Sequence, residues 1–328
     1  MKMKIFAGIG IVLMIVVLFI TLKPKSFLDT FNEKTSKVES YILSGDMELS
    51  RGETTKSYAI EVGYQKGKQD LFKVTLIDKE FNQEQTIIRN KKGVFVVTPS
   101  LNQIFKFEGD WPMNTPKPYL LQSIVDIVNQ KDAQISKEKD GTLIHAKVSY
   151  PNNRQFHHEE IFVDADGKIR WIKIYNKDHH VEFALNFKQC RYNIKMKKSY
   201  FDVPQQLDKS VMAPIVQEED LPLYPVQVFS SKLRNVNKMQ TNGAVKHILE
   251  YGGEKNFTVI ETIPKAVETT QTVIMPGEMM DVLDVVGFYD ENHMNVIRDG
   301  VEISIFSDEL SLQQMIEIIN SMQVAVMK

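Results

Sequence analysis

The sequence predicts a mainly β protein of α+β type, with an N-terminal transmembrane helix, a curved antiparallel half-barrel covered by a helix, and then a small α+β domain. Three observations lead there. An uncharged apolar run stands near the N-terminus, apolar and polar residues alternate with a period of two through the middle of the chain, and one amphipathic helical stretch interrupts that alternation.

The apolar run, Ile5 to Leu22, reads IFAGIGIVLMIVVLFITL and carries no charge. At about 1.5 Å per residue it reaches about 27 Å, close to the hydrocarbon thickness of a bilayer. It is longer than the ~7–15 apolar residues of a secretory signal. Lys23, Pro24 and Lys25 follow it where a signal would have small residues. An uncleaved anchor over residues 1–25 is therefore expected, with a cleaved signal as the alternative. Lys2 and Lys4 balance Lys23 and Lys25 across the span, and the α-amino group tips the orientation toward N-terminus in, body outside the cytosol. Cys190 is the only cysteine, which removes an internal disulfide, a cysteine-rich zinc site and a thiol placed to carry a lipid after the apolar run. It reads as a small apolar residue, buried or half-buried.

The composition, 43% hydrophobic and 25% charged, is rich enough in apolar residues to build cores and too rich for disorder. Lys+Arg 40 against Asp+Glu 42 leaves a net charge of -2 without a long basic block, so nucleic-acid binding has no electrostatic footprint. From Tyr41 to Phe201 strand-like runs follow one another. Tyr58, Ile60, Val62 and Tyr64 alternate with polar residues, as do Phe72, Val74 and Leu76, and later Val181, Phe183, Leu185 and Phe187. Gln65–Lys68, Asn90–Gly93, Lys139–Gly141 and Asp164–Gly167 supply the turns between them. A meandering antiparallel sheet results.

YLLQSIVDIVNQ breaks this rhythm, placing Leu120, Ile124, Ile127 and Val128 on one helical face. Pro112, Pro116 and Pro118 stiffen the loop before it, so that Trp111 and the helix read as a lid over the concave side of the sheet. Between Val203 and Pro225, Pro204, Pro214, Pro222 and Pro225 with the acidic Glu218–Asp220 predict an exposed, extended linker. Beyond it VIETIP and the runs at Val282–Tyr289, Met294–Arg298 and Val301–Phe306 read as strands, the last two joined by Asp299-Gly300. Ser311–Gln314 is a capping box opening a terminal helix striped by Leu312, Met315, Ile316 and Ile319.

This pattern is similar to the lipoprotein-carrier superfamily of LolA-like carriers, LppX-like lipid binders and RseB-like periplasmic regulators. The segments that carry the likeness are FNEKTSKVESYILSGDMEL, the hairpin-rich middle, YLLQSIVDIVNQ, and the pair EEIFVDADGKIRWIKIYN and VEFALNFKQCRYN. The C-terminal GFYDENHMNVIRDGVEISIFSDELSLQQMIEIINSM resembles the small domain that follows the carrier-like domain in sporulation- and germination-linked proteins of endospore-forming bacteria. The chain departs from lipid-anchored relatives in lacking a lipobox cysteine. The expected domains are an anchor at 1–25, a LolA-like half-barrel at 26–203, a linker at 204–225 and a small α+β domain at 226–328. The resemblance implies a hydrophobic concavity that holds acyl chains or is filled by the protein itself and serves as a docking surface. Candidate lining residues are Phe72, Val74, Leu76, Phe95, Phe105, Trp111, Leu120, Ile124, Trp171 and Phe183, each of which also reads as ordinary core.

No Gly-x-Ser-x-Gly, P-loop, His-Glu-x-x-His or Gly-x-Gly-x-x-Gly is present, and neither an enzymatic activity nor a cofactor is expected. His157, His158, His179 and His180 gather at one sheet end, beside Glu159 and Glu160, if Asp164–Gly167 and Asn176–Asp178 are tight hairpins. They are weak metal candidates, because neighbours on one strand point to opposite faces and His157 and His158 then cannot easily share an ion. Two main readings remain. One is a membrane-anchored extracytoplasmic module that binds a protein partner, in sporulation or germination by resemblance; the alternative is a binding or carrier protein for a lipid or lipoprotein acyl chain. A metal-dependent enzyme using the histidines is the remote third.

Overall fold

A computed structural model describes residues 25–324 apart from 52–53, 110, 113–115, 208–215 and 242. The expected anchor, Ile5–Leu22, lies outside the described residues. Among the described residues no helix is long and apolar enough to cross a membrane. The fold is mainly β, with a large open sheet and few helices.

The chain divides into two compact units, residues 1–37 and 38–328. In the first, helix α1 (Phe27–Ser36) begins at a capping box in which Ser26 and Asp29 satisfy each other's backbone N–H groups. Glu33 accepts from Lys25 and Lys37 on its surface, which holds its carboxyl down to about 2.

The second unit is built on one sheet of 18 strands. Its first part is an antiparallel succession in which β1 (Ser40–Arg51) is central. On one side follow β2 (Thr54–Gln65), β3 (Leu71–Asp78), β4 (Glu84–Asn90), β5 (Gly93–Thr98) and β6 (Gln103–Glu108). On the other lie β11 (Val181–Tyr192), β10 (Ile169–Tyr175), β9 (His158–Asp164), β8 (Gly141–Lys147) and β7 (Gln134–Lys137). Helix α2 (Leu121–Val128) buries Leu121, Ile124, Ile127 and Val128, and the Tyr41 hydroxyl donates to Gln122 Oε1 at 2.8 Å, tying the helix to β1.

The sheet continues through β6, which pairs in parallel with β16 (Gln271–Asp281). From there the order is β17 (Val286–Asp290), β18 (His293–Arg298), β19 (Val301–Phe306), β15 (Phe257–Thr262), β14 (Ala244–Gly253) and β13 (Ser231–Thr241). β16 serves both parts because its register shifts between Ile274 and Glu278. Gly277 sits in that shift at φ 77, where a Cβ would lie 2.3 Å from the Tyr289 carbonyl oxygen. A short β12 (Leu223–Pro225) pairs with β20 (Met322–Val324), and helix α3 (Leu312–Asn320) starts at the Ser311–Gln314 capping box. Its Met315, Ile316, Ile318 and Ile319 complete a second core with Leu249, Phe257, Val259, Met294, Ile303 and Ile305.

The proline-rich segment is exposed at 204–206 and 217–220 and packs on the body at a few apolar residues. Val203 and Leu207 pack on Ile88, Phe95, Val97 and Ile104, and Leu221 and Leu223 enter the second core. The apolar residues between the prolines gain more by burial than the extended chain gains by hydration.

Candidate functional site

The site begins with the face that β1, β2 and β3 turn inward. Register places Tyr41, Tyr64 and Phe72 in one row, Leu43, Val62 and Val74 in the next, and Ile60 beside Leu76. Tyr41 and Tyr64 stack at 5.0 Å, Tyr64 meets Phe72 at 5.0 Å, and Phe72 takes the edge of Trp111 at 6.4 Å. Arg89, opposite Phe72, holds the Trp111 carbonyl through Nη1 at 2.6 Å. Phe72, Val74, Leu76, Trp111, Leu120, Ile124 and Phe183 are each at most 4% exposed. The protein's own side chains therefore fill the space around them, except that Leu76 also borders an open cavity at the end of this face. Phe105, opposite Val96 on the same face, is half-buried.

Two predicted lining residues face the other way. Phe95 pairs with Ile88 and belongs to the cluster on the reverse of β4 to β6 under Val203 and Leu207. Every second residue of a strand shares a face, and in GVFVVT both faces are apolar, so alternation could not assign it. Trp171 lies out of phase with the buried Ile172 and Ile174 and stacks on Phe162 at 5.7 Å on the outer face. That phase was readable in IRWIKIY.

The inward face also holds a carboxyl that sequence reasoning groups with the histidines. Glu159, opposite Ile174 and Ala146, is 0% exposed. Its Oε2 accepts from the Tyr150 hydroxyl at 2.6 Å, Oε1 has no partner among the described residues, and burial pushes the group up to about 8.

On the outer face His158 is the hub of a ring cluster. Tyr175 stacks on it at 4.9 Å, and His179, His145 and His157 stand at 4.8, 5.0 and 5.8 Å. His157 N–H donates to the Tyr175 carbonyl, as the two hairpins required. His157 precedes β9, so the rule of opposite faces does not hold it away, and its Nδ1 comes within 3.5 Å of His158 Nδ1. His145, in register with Glu160, joins the group unannounced by sequence spacing, while His180 is exposed. Burial, then His145, His179 and His157, holds His158 below its ordinary value. Among the described residues no three His, Cys, Asp or Glu side chains are arranged to hold a metal ion.

The open concavity lies at the end of the inward face, where β2 meets the second part of the sheet. Lys56 pairs with Asp299, and the Tyr58 hydroxyl donates to Asp284 Oδ2 at 3.2 Å. Arg298 faces Asp284 at 3.6 Å and donates to the Ile319 carbonyl and Asn320 Oδ1 at 2.9 and 3.0 Å, at the end of α3. Nearby Asn102, buried at φ 55, accepts from Thr270 Oγ1 at 2.7 Å and donates to the Val267 carbonyl at 2.9 Å. Around this seam lie a cavity of about 340 Å³, reaching from Leu76 to Lys265, and a groove of about 1020 Å³ bordered by Arg154, Glu182, Gln227, Glu317 and Gln323.

Residues 70–204 match the family model described as outer membrane lipoprotein carrier protein LolA. That stretch is similar to the LolA family. The match runs from the start of β3 through α2 and β11 to Pro204, so it takes in the histidine cluster and the part of the inward face that β3, α2 and the later strands supply, while Tyr41 and Tyr64 on β1 and β2 precede it. The whole chain is similar to sporulation protein YdcC of Bacillus subtilis (strain 168), 28% identical over 299 residues that cover 89% of this chain and 88% of that protein. Among solved structures, the Pseudomonas aeruginosa MucA/MucB complex aligns with 92% of this chain and 100% of its own at 10% identity and a TM-score of 0.33. The Clostridioides difficile CwlD amidase with the GerS lipoprotein aligns with 52% and 99% at 16% identity and a TM-score of 0.30.

Proposed function

We propose that this chain is a non-enzymatic, membrane-anchored binding protein whose LolA-like body lies outside the cytosol and holds a protein partner during sporulation. One observation carries the choice of a protein over an acyl chain. The inward face that would hold a lipid is packed by Tyr41, Tyr64, Phe72, Trp111 and Ile124, whereas the open groove at the seam is bordered by Lys56, Arg154, Glu182 and Glu317. Charged walls suit a polypeptide and penalise a hydrocarbon tail. The sporulation setting rests on the similarity to YdcC, and the anchor rests on the apolar run at Ile5–Leu22.

Organic extraction and mass spectrometry of the purified protein test the reading. No stoichiometric lipid is expected, and a photo-crosslinking residue in place of Gln227 should trap one protein in sporulating cells. A lipid recovered at one per chain would replace this reading with the carrier one.

A further inference from the structure

β13 ends the sheet, and it is unusual in what it leaves uncovered. It is paired with β14 along one side, and among the described residues no strand pairs with its other side. All of Lys232 to Thr241 is exposed. A free edge presents a row of unpaired N–H and C=O groups, and folded proteins commonly blunt such rows with a short strand, proline, a bulge, lysines or a cover, of which this edge carries lysines and one irregularity. This strand spans 11 residues, contains no proline, and shows one irregularity, between Leu233 and Asn235.

Its side chains point to an occupant. Leu233 and Val236, 40% and 42% exposed, share a face with Tyr251 and Leu249 of the second core, so that core face continues onto the edge and stops there uncovered. Met239 is 49% exposed on the opposite face. Lys232, Arg234 and Lys238 are the charges of the strand, Lys238 pairing with Glu218 at 3.1 Å, and it has no acidic residue. A second copy of the same strand would add cations and no carboxylate to meet them, which disfavours self-pairing.

We propose that β13 accepts an extended acidic segment of a partner protein as an additional antiparallel or parallel strand. Main-chain hydrogen bonds supply the affinity, alternate apolar residues of the segment extend the face of Leu233 and Val236, and its carboxylates meet Lys232, Arg234 and Lys238. None of β13 borders the seam groove, so this surface is separate from the one assigned above.

The test uses the full-length chain and a labelled peptide alternating valine or threonine with glutamate, followed by fluorescence anisotropy. Saturable binding is expected, weakened by salt, and lowered at least about tenfold by Lys232→Glu with Lys238→Glu. The same loss is expected when alternate peptide nitrogens are methylated, which removes strand donors and leaves the charges. Both substituted lysines are exposed, and an unchanged thermal melt would show that the variant still folds. Absence of binding, equal binding of a peptide with lysine for glutamate, or indifference to methylation would overturn the proposal. So would sedimentation showing a dimer that the two substitutions dissolve, since the occupant would then be a second copy. Loss of the Gln227 crosslink leaves this result untouched, so the two readings fail separately.

Discussion

Within the apolar inward face of the sheet, the Tyr150 hydroxyl donates a 2.6 Å hydrogen bond to Glu159, whose other carboxyl oxygen has no partner among the described residues. A buried carboxyl half-satisfied in this way is stable only while protonated.

The consequence is a pH dependence with a defined sign. Burial raises Glu159 from 4.5 to about 8, and Glu261, whose Oε2 accepts from the Leu223 N–H, is likewise raised to about 8. Between those values the folded protein keeps protons that the unfolded chain has released, so stability falls as pH rises through that window. Glu159→Gln should reduce the fall, and Glu159→Gln with Glu261→Gln should reduce it further. Urea midpoints measured across the window check this; an unchanged slope in the double variant would mean that neither carboxyl is buried protonated.

The histidines act from the other side. His158, His247 and His293 are all lowered from 6.5, chiefly by burial. The unfolded chain then takes up protons first, and this part of the stability, present above about pH 6.5, is lost as pH falls toward the folded values. His158→Gln should soften the acid limb of the same urea series while leaving the alkaline limb in place.

Ile124 is 0% exposed on the face of α2 that packs inward. Ile124→Asp should cost several kcal/mol, against about 1 kcal/mol for Ile124→Val. A thermal melt in which Ile124→Asp behaves like wild type would sink the packed helix and, with it, the filled interior.

Face assignment has its own test. Phe72→Ala empties a fully buried position and should cost about 3–5 kcal/mol, whereas Trp171→Ala removes a half-buried ring stacked on Phe162 and should cost clearly less. Equal losses in chemical denaturation would return Trp171 to the interior.

At the seam, the Asp284 side chain is 1% exposed and faces Arg298. Arg298→Met leaves that carboxylate without its cation and should destabilise the fold by about 3 kcal/mol or more. Asp284→Asn on the same background should recover part of the loss; a double variant no better than the single one would show that Arg298 acts only through its bonds at the end of α3.

The alternation of Tyr58, Ile60, Val62 and Tyr64, and of Phe72, Val74 and Leu76, was enough to place those strands and their buried faces, because each strand records its own two environments in residues two apart. The Ser311–Gln314 capping box and the apolar stripe of α2 were equally local. The Ser26–Asp29 box at α1 was present in the same form and went unread. Phe95 was not assignable, since its strand is apolar on both sides, and Trp171 was misplaced although its phase in IRWIKIY is opposite to that of the buried Ile172 and Ile174.

Other features depended on which strand lies beside which. His145 joins His158 across β8 and β9, and Lys56 reaches Asp299 across the seam created where β6 takes β16 in parallel. Hydrophobic periodicity records that a face is buried and carries no address for the segment that buries it. The sequence by itself therefore determined the alternating strands of the first part, the covering helix and the resemblance to LolA-like proteins. The filled interior, the charged groove and the open edge of β13 were decided by tertiary structure, because each depends on a partner chosen from distant parts of the chain by packing and register.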